Sequence, residues 1–353
     1  MPLHRGRHAI SGPWGRDRGD GAGTCASGAG QGVDGSGQAW EYENSRAIRN
    51  NPASATPNAN WTAVEWTISA ADIADMTPGA LENEFRYDGD WKPRDVYANS
   101  STSDDVYASS SVLITGNLSV NDFEVKSGAT LTIDKAASVT ITGNFTNNGT
   151  FTLDSDSDEY SSIIVDGTPS GNITYNRWVN SVSNGSTGWD LVGSPASGVI
   201  ISSITGDSDL ATNGSSPTTY ALGSFDNTDI SWTNVDSNDT SGTLTSGQGY
   251  QMATTSGGTI TFNGSVLTSS QNISITNNNP NDNGDSNLTG SRWNLIANPY
   301  PSYINANTSA DSNHNFLSDN LGGSINNNYT ALYAYDANGG YTPINNTSAA
   351  TYI

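Results

Sequence analysis

From residue 112 onward the chain is filled by short runs of alternating apolar and polar residues, each bounded by Gly, Asn, Asp or Ser. That is the punctuation of strands and turns. The most regular stretch covers residues 112–180, where VLITGNLSV, FEVKSGATLTID, ASVTITGNFTNNGTFTL, SSIIVDG and GNITYNRWV follow one another across short turns. Leu131 and Ile133 alternate with Thr130 and Thr132, Val139 and Ile141 with Thr140 and Thr142, and Phe151 and Leu153 with Thr150 and Thr152. A lone rung of this kind cannot bury its apolar face, so the pattern predicts stacking, as a short β-solenoid or a stack of hairpins over 101–184. The threonine pairs recur every ten residues, which predicts a ladder on one face. Such a ladder on a flat face suits an ice lattice, but three repeats make a small plane. Threonine is also a good strand former on any solvated face, and the plain reading is preferred.

Helix has little room. Residues 69–76, SAADIADM, follow the strand-like WTAVEWTI and stop at Thr77-Pro78-Gly79; Ser69 could cap a single turn there. The expected fold class is therefore all-β.

Residues 185–353 hold an internal repeat. Trp189 to Pro195 and Trp293 to Pro299 share the order Trp, polar, Leu, aliphatic, small, polar, Pro, with the two tryptophans 104 residues apart. That spacing fits one small β-sandwich-like unit per copy, 185–290 and 291–353, with Trp189 and Trp293 expected in the two cores. The first copy continues into LTSGQGYQM and GTITF, whereas the second ends at Thr351-Tyr352-Ile353 without a counterpart of GQGYQM. The second copy is expected to be truncated.

Composition narrows the function classes. Among 353 residues, 13 Lys+Arg face 35 Asp+Glu, for a net charge of −22. Residues 101–353 carry only four cations, Lys126, Lys135, Arg177 and Arg292. A field of that sign repels phosphate backbones and anionic lipid, so neither nucleic acid nor membrane insertion is expected. The single cysteine, Cys25, allows no internal disulfide. Residues 1–30 reverse the balance with Arg5, Arg7, Arg16 and Arg18, lack an apolar run, and read as a disordered or mistranslated leader.

Candidate chemistry is sparse. Asp154, Asp156 and Asp158 alternate in a turn and are a candidate calcium site, since carboxylate oxygens suit that ion. An EF-hand is excluded, because Glu159 stands where the loop needs Gly and Val165 where it needs the bidentate Glu. No G-x-S-x-G occurs, and a catalytic triad would have to use His314, which lies in the loop-like DSNHNFLSD. No enzyme is expected, and no cofactor beyond that calcium. Tyr300 and Tyr303, beside Pro299 and Pro301, are candidates for stacking on a sugar.

Two resemblances add to this. The paired Trp-x-Leu-[Ile/Val]-x-[Asn/Ser]-Pro motif with GQGY resembles a module of secreted and surface proteins of Bacteroidota-type bacteria. Such proteins end in a type IX secretion sorting domain, which would lie beyond Ile353. Residues 31–85, with Trp40-Glu41-Tyr42 and Trp61 to Trp66, resemble the closing strands of a bacterial lamin-tail (Ig-like) domain, leaving 31–100 as a partial Ig-like segment and linker. These resemblances imply a non-enzymatic extracellular or cell-surface, adhesin-like β-protein whose partners are surface glycans or other extracellular proteins. The alternatives are a carbohydrate-binding accessory module, or the accessory region of a secreted hydrolase whose catalytic domain lies elsewhere.

Overall fold

The computed structural model describes residues 84–92, 95–182, 187–278, 291–322, 325, 330–337, 339–351 and 353, together with the backbone of strands 45–49 and 66–70. It is 41% strand and 5% helix, an all-β chain with a β-solenoid of about four turns. Strands β1 (Ser45–Arg49) and β2 (Trp66–Ala70) pair antiparallel, Ser45 opposite Ala70. Ser69 is thus inside a strand and not at a helix cap: the β-forming Trp66-Thr67-Ile68 continue through it and pair with β1. Residues 71–76 and the leader 1–30 lie outside the described residues.

The stack begins with β3 (Glu84–Tyr87), which turns back on β4 (Trp91–Lys92). A single helical turn, α1 (Val96–Asn99), follows, capped by the Asp95 carboxylate accepting from the Tyr97 N–H. Its Val96 is fully buried in the solenoid core, and Tyr97 lies over Gly116 while its hydroxyl accepts from the Thr115 N–H at 2.9 Å.

The rungs then repeat. The first is β5 (Asp105–Ala108), β6 (Val112–Ile114) and β7 (Leu118–Val120); the second is β8 (Phe123–Val125), β9 (Thr130–Ile133) and β10 (Ser138–Ile141). The third is β11 (Phe145–Asn147), β12 (Thr150–Leu153) and β13 (Ser162–Val165), and the last is β14 (Pro169–Ser170) with β15 (Asn172–Val179). Equivalent strands of successive rungs pair in parallel, which builds three faces: β14-β11-β8-β5-β3-β4, β15-β12-β9-β6 and β13-β10-β7. Hairpins would pair antiparallel, so the stack is a solenoid.

Register aligns like with like. Val106, Phe123 and Phe145 stack in one column, Leu131 and Phe151 in another, and Leu118, Val139 and Ile163 in a third, all nearly or fully buried. Phe145 meets Phe151 edge to face, with centroids 4.9 Å apart. The columns make a dry aliphatic and aromatic core that no single rung could form.

The threonines behave differently from a ladder at every tenth residue. Thr130 pairs with Thr150, and Thr132 with Thr152 and then Thr174, on one face. Thr140 lies on another face between Ser119 and Ile164. A rung takes about twice the ten-residue spacing, so consecutive pairs alternate between faces. The continuous threonine plane does not exist.

Beyond β15 the chain forms a four-stranded antiparallel sheet, in the order β16 (Asp190–Gly193), β19 (Gly249–Met252), β17 (Thr219–Asp226), β18 (Ser231–Asp236). The short helix α2 (Ile201–Thr205) buries Ile204 in the core, packed on strand β20 (Gly258–Ser265). Strand β20 leaves that sheet and pairs antiparallel with β15 along its full length, Asn172 opposite Ser265 and Val179 opposite Gly258. Ile260 and Phe262 enter the solenoid core through this pairing, so one continuous hydrophobic cluster runs from Phe85 to Val266.

The second copy of the repeat leans on the first. Its Ile296 bridges Gln248, the Gly249 N–H donates to the Leu295 carbonyl at 3.1 Å, and the Ala297 N–H donates to the Gly247 carbonyl at 2.9 Å. Helix α3 (Phe316–Asp319) is capped by the Asn315 side chain and buries Leu317. The hairpin β21 (Leu332–Tyr335) and β22 (Tyr341–Ile344) forms a separate two-stranded sheet whose turn accepts the Gly188 N–H at the Ala337 carbonyl at 2.9 Å, and Ile353 pairs with Ile304 in both directions through the backbone. Trp189 is half-buried against Ala211, Ala221 and Ala253. Trp293 is not in a core: it is 55% exposed, because its copy lays backbone on the first sheet without closing a second layer around the indole.

Candidate functional site

The acidic turn between β12 and β13 is shaped by its own side chains. Asp156 accepts from the backbone N–H groups of Asp158 and Glu159, both at 2.9 Å, and pairs with Lys135. The lysine, with help from those two N–H groups, lowers the Asp156 carboxyl to about 2. Asp154 instead accepts from the Asn176 side chain at 2.8 Å, and Asp158 from the Ser157 hydroxyl at 3.1 Å. The three carboxylates therefore have three different partners. Among the described residues no group of three or more His, Cys, Asp or Glu is placed to hold a metal ion.

Tyr300 and Tyr303 also part company. The Tyr300 hydroxyl donates to the Ser269 carbonyl at 3.0 Å, whereas the Tyr303 hydroxyl donates to the Tyr160 carbonyl at 3.3 Å. The segment carrying Tyr303 is held on the solenoid by the Ile163 N–H, which donates to the Pro301 carbonyl at 2.8 Å.

Three elements meet at that point. On β15, Ile173, Tyr175 and Val179 face the core and are buried, and Arg177 occupies the same alternating row opposite buried Ile260. Its guanidinium lies over the Tyr160 ring, 4.0 Å from the centroid, and Nη1 donates to the Trp178 carbonyl at 3.2 Å. Tyr175 donates to the Ser161 carbonyl at 2.7 Å and is pushed far up by burial. The Tyr303 hydroxyl is raised too, chiefly by burial, with Arg177 opposing and Tyr160 adding to the rise. The cluster is a cation framed by phenols. Arg177 and Tyr160 were not singled out by sequence; the visible signal was a lone arginine at an inward position of the strand GNITYNRWV.

A second aromatic group lies on the terminal hairpin. Tyr335 is opposite Tyr341, with centroids 5.2 Å apart, and Tyr333 is opposite Pro343 on the same face. Trp293 meets Tyr333 edge to face at 4.8 Å, and Tyr341 is 59% exposed. His314 is exposed in its loop, its N–H bonded to the Asp311 carboxylate at 3.2 Å. Among the described residues no helix is long and apolar enough to cross a membrane.

In comparisons with known proteins, a family model described as a domain of unknown function (DUF8693) matches residues 77–348. No curated protein and no solved structure matches.

Proposed function

The chain belongs to the family DUF8693, a domain of unknown function, and we propose that it acts as a non-enzymatic, extracellular or cell-surface structural protein of adhesin-like type. The observation that carries this is the eight-residue pairing of β20 with β15, which joins the solenoid and the following sheet through one hydrophobic cluster. A shared core resists bending between modules, as a stalk or spacer requires. Many outward positions of the solenoid are Thr, Ser or Asn, with Leu113 and Ile164 exposed among them, and the net charge of −22 keeps such a surface hydrated and self-repelling. The W-x-L-[IV]-x-[NS]-P pair supports placing it among proteins exported by the type IX route, and the strand pair β1–β2 suits the lamin-tail resemblance upstream. Protease treatment of intact cells that make the protein tests the location. Surface placement predicts its loss under conditions that spare a cytoplasmic marker; full protection overturns it.

A carbohydrate-binding role is the second reading, favoured by the aromatic face of Trp293, Tyr333, Tyr335 and Tyr341 and by Tyr303 beside Arg177. Ring faces presented to solvent suit the C–H faces of sugars.

A further inference from the structure

We infer that Arg177, Tyr160 and Tyr303 form a binding site for a carboxylate borne on a sugar, that is, for a uronate residue of an extracellular polysaccharide. The inference rests on the carbohydrate reading and gives it a ligand class and a place. A guanidinium has five N–H donors in a planar fork. Arg177 gives one to a neighbouring carbonyl and lays its face on Tyr160, and among the described residues it has no carboxylate partner.

That is unusual in this chain. Acids outnumber cations 22 to four after residue 100, so an arginine beside an acidic turn should find a partner. The turn's carboxylates are instead directed elsewhere, Asp156 to Lys135, Asp154 to Asn176 and Asp158 to Ser157. The register also holds Arg177 in a row of buried residues, so its side chain is aimed by the fold and not free to sweep the surface.

The remaining donors match the two oxygens of a carboxylate, which a planar fork takes in a bidentate way. Tyr303 supplies the rest of the recognition. It is 48% exposed, and its hydroxyl is tied to the Tyr160 carbonyl, so the ring presents a fixed apolar surface next to the cation. A pyranose with a carboxylate has those two parts adjacent, one C–H face and one anionic edge. The overall negative field disfavours densely charged polymers, and beyond about 8 Å it is screened at physiological salt. An isolated or terminal uronate fits both conditions.

The test is titration of the full chain with a glucuronate-terminated oligosaccharide, with its methyl ester, and with an acidic peptide ending in a free carboxylate. Binding of the uronate at least tenfold tighter than of its ester, with the difference removed in Arg177→Gln, supports the site. The acid–ester comparison is made on the unaltered protein and does not depend on the variant folding. Equal binding of acid and ester, or no binding of the acid at millimolar concentration, overturns the inference. Ester binding that is equal to the acid's and lost in Trp293→Ala leaves the carbohydrate reading standing on the hairpin face. Tighter binding of the peptide than of the uronate overturns it in favour of a protein partner.

Discussion

Gly193 is the small position of the first repeat motif, and a Cβ built on it would overlap the Cβ of Ala297, the small position of the second. The two copies thus touch through equivalent residues, and Gly249 beside Leu295 repeats the close approach. Gly193→Val forces the strands apart. We expect a loss of about 1–3 kcal/mol in urea unfolding, the usual cost of overfilling a packed contact; an unchanged midpoint would mean that the copies are not pressed together. Within the column of Val106, Phe123 and Phe145 the opposite change applies. Phe123→Ala removes a ring that is 1% exposed, and should cost about 3–5 kcal/mol by the same measurement. Asp156 gives a pH dependence with a definite sign. Its carboxyl is lowered in the fold to about 2 from 3.8, so its contribution is fully present above the unfolded value and is lost as pH falls through the folded one. The wild-type thermal midpoint should exceed that of Asp156→Asn at about pH 5 and converge on it near pH 2. A gap that stays constant across this window would assign the effect to something other than ionisation.

Strands differ in how many neighbours protect them. Strand β19 is flanked by β16 and β17, whereas β21 has only β22. An isolated two-stranded hairpin is marginal in water. Amides of 332–344 should therefore exchange faster with deuterium than those of 190–193 and 249–252, and equal protection would show that the hairpin has cover from elsewhere. The same contrast explains what the sequence made legible. Alternation at Leu131/Ile133, Val139/Ile141 and Phe151/Leu153 revealed the rungs, because inward and outward positions differ in polarity and each rung is local. The face on which each rung lies was hidden, since it depends on turn lengths that vary from rung to rung; Thr140 was misplaced for that reason. The departure of β20 to join β15 was hidden as well, because GTITF alternates whichever sheet receives it. Trp293 misled because motif equivalence with Trp189 says nothing about what covers the ring. Arg177 was visible as an odd residue in its strand, but its lack of a carboxylate partner follows from Lys135 and Asn176 holding the acids of a turn about twenty residues upstream, a pairing that no local pattern reveals.

Across the whole molecule, the solenoid has different parts at its two ends and a repeat between them. At one end α1 buries Val96 and holds Tyr97 against Gly116. At the other, β20 runs antiparallel on β15, and the Pro301 carbonyl takes an N–H of β13. Parallel rungs would otherwise present open edges on which another chain could grow. Because these end pieces differ from the rungs, the number of rungs between them is free to vary by whole turns. Each rung adds one strand spacing, about 4.8 Å, without altering either terminus. Deleting residues 123–144 brings Asp122 to Phe145 and allows β11 to take the place of β8 beside Val106. We expect a folded protein, shorter by that increment in small-angle scattering and less stable in thermal melting, with its far-UV spectrum still that of strand. A variant that unfolds outright would mean that the rungs are not interchangeable. If the shortened protein folds, the molecule is a ruler with adjustable graduation: in the spacer role proposed above, a lineage could tune how far this chain holds its neighbours apart by copying or losing segments of about twenty residues, while selection on the two ends stays untouched.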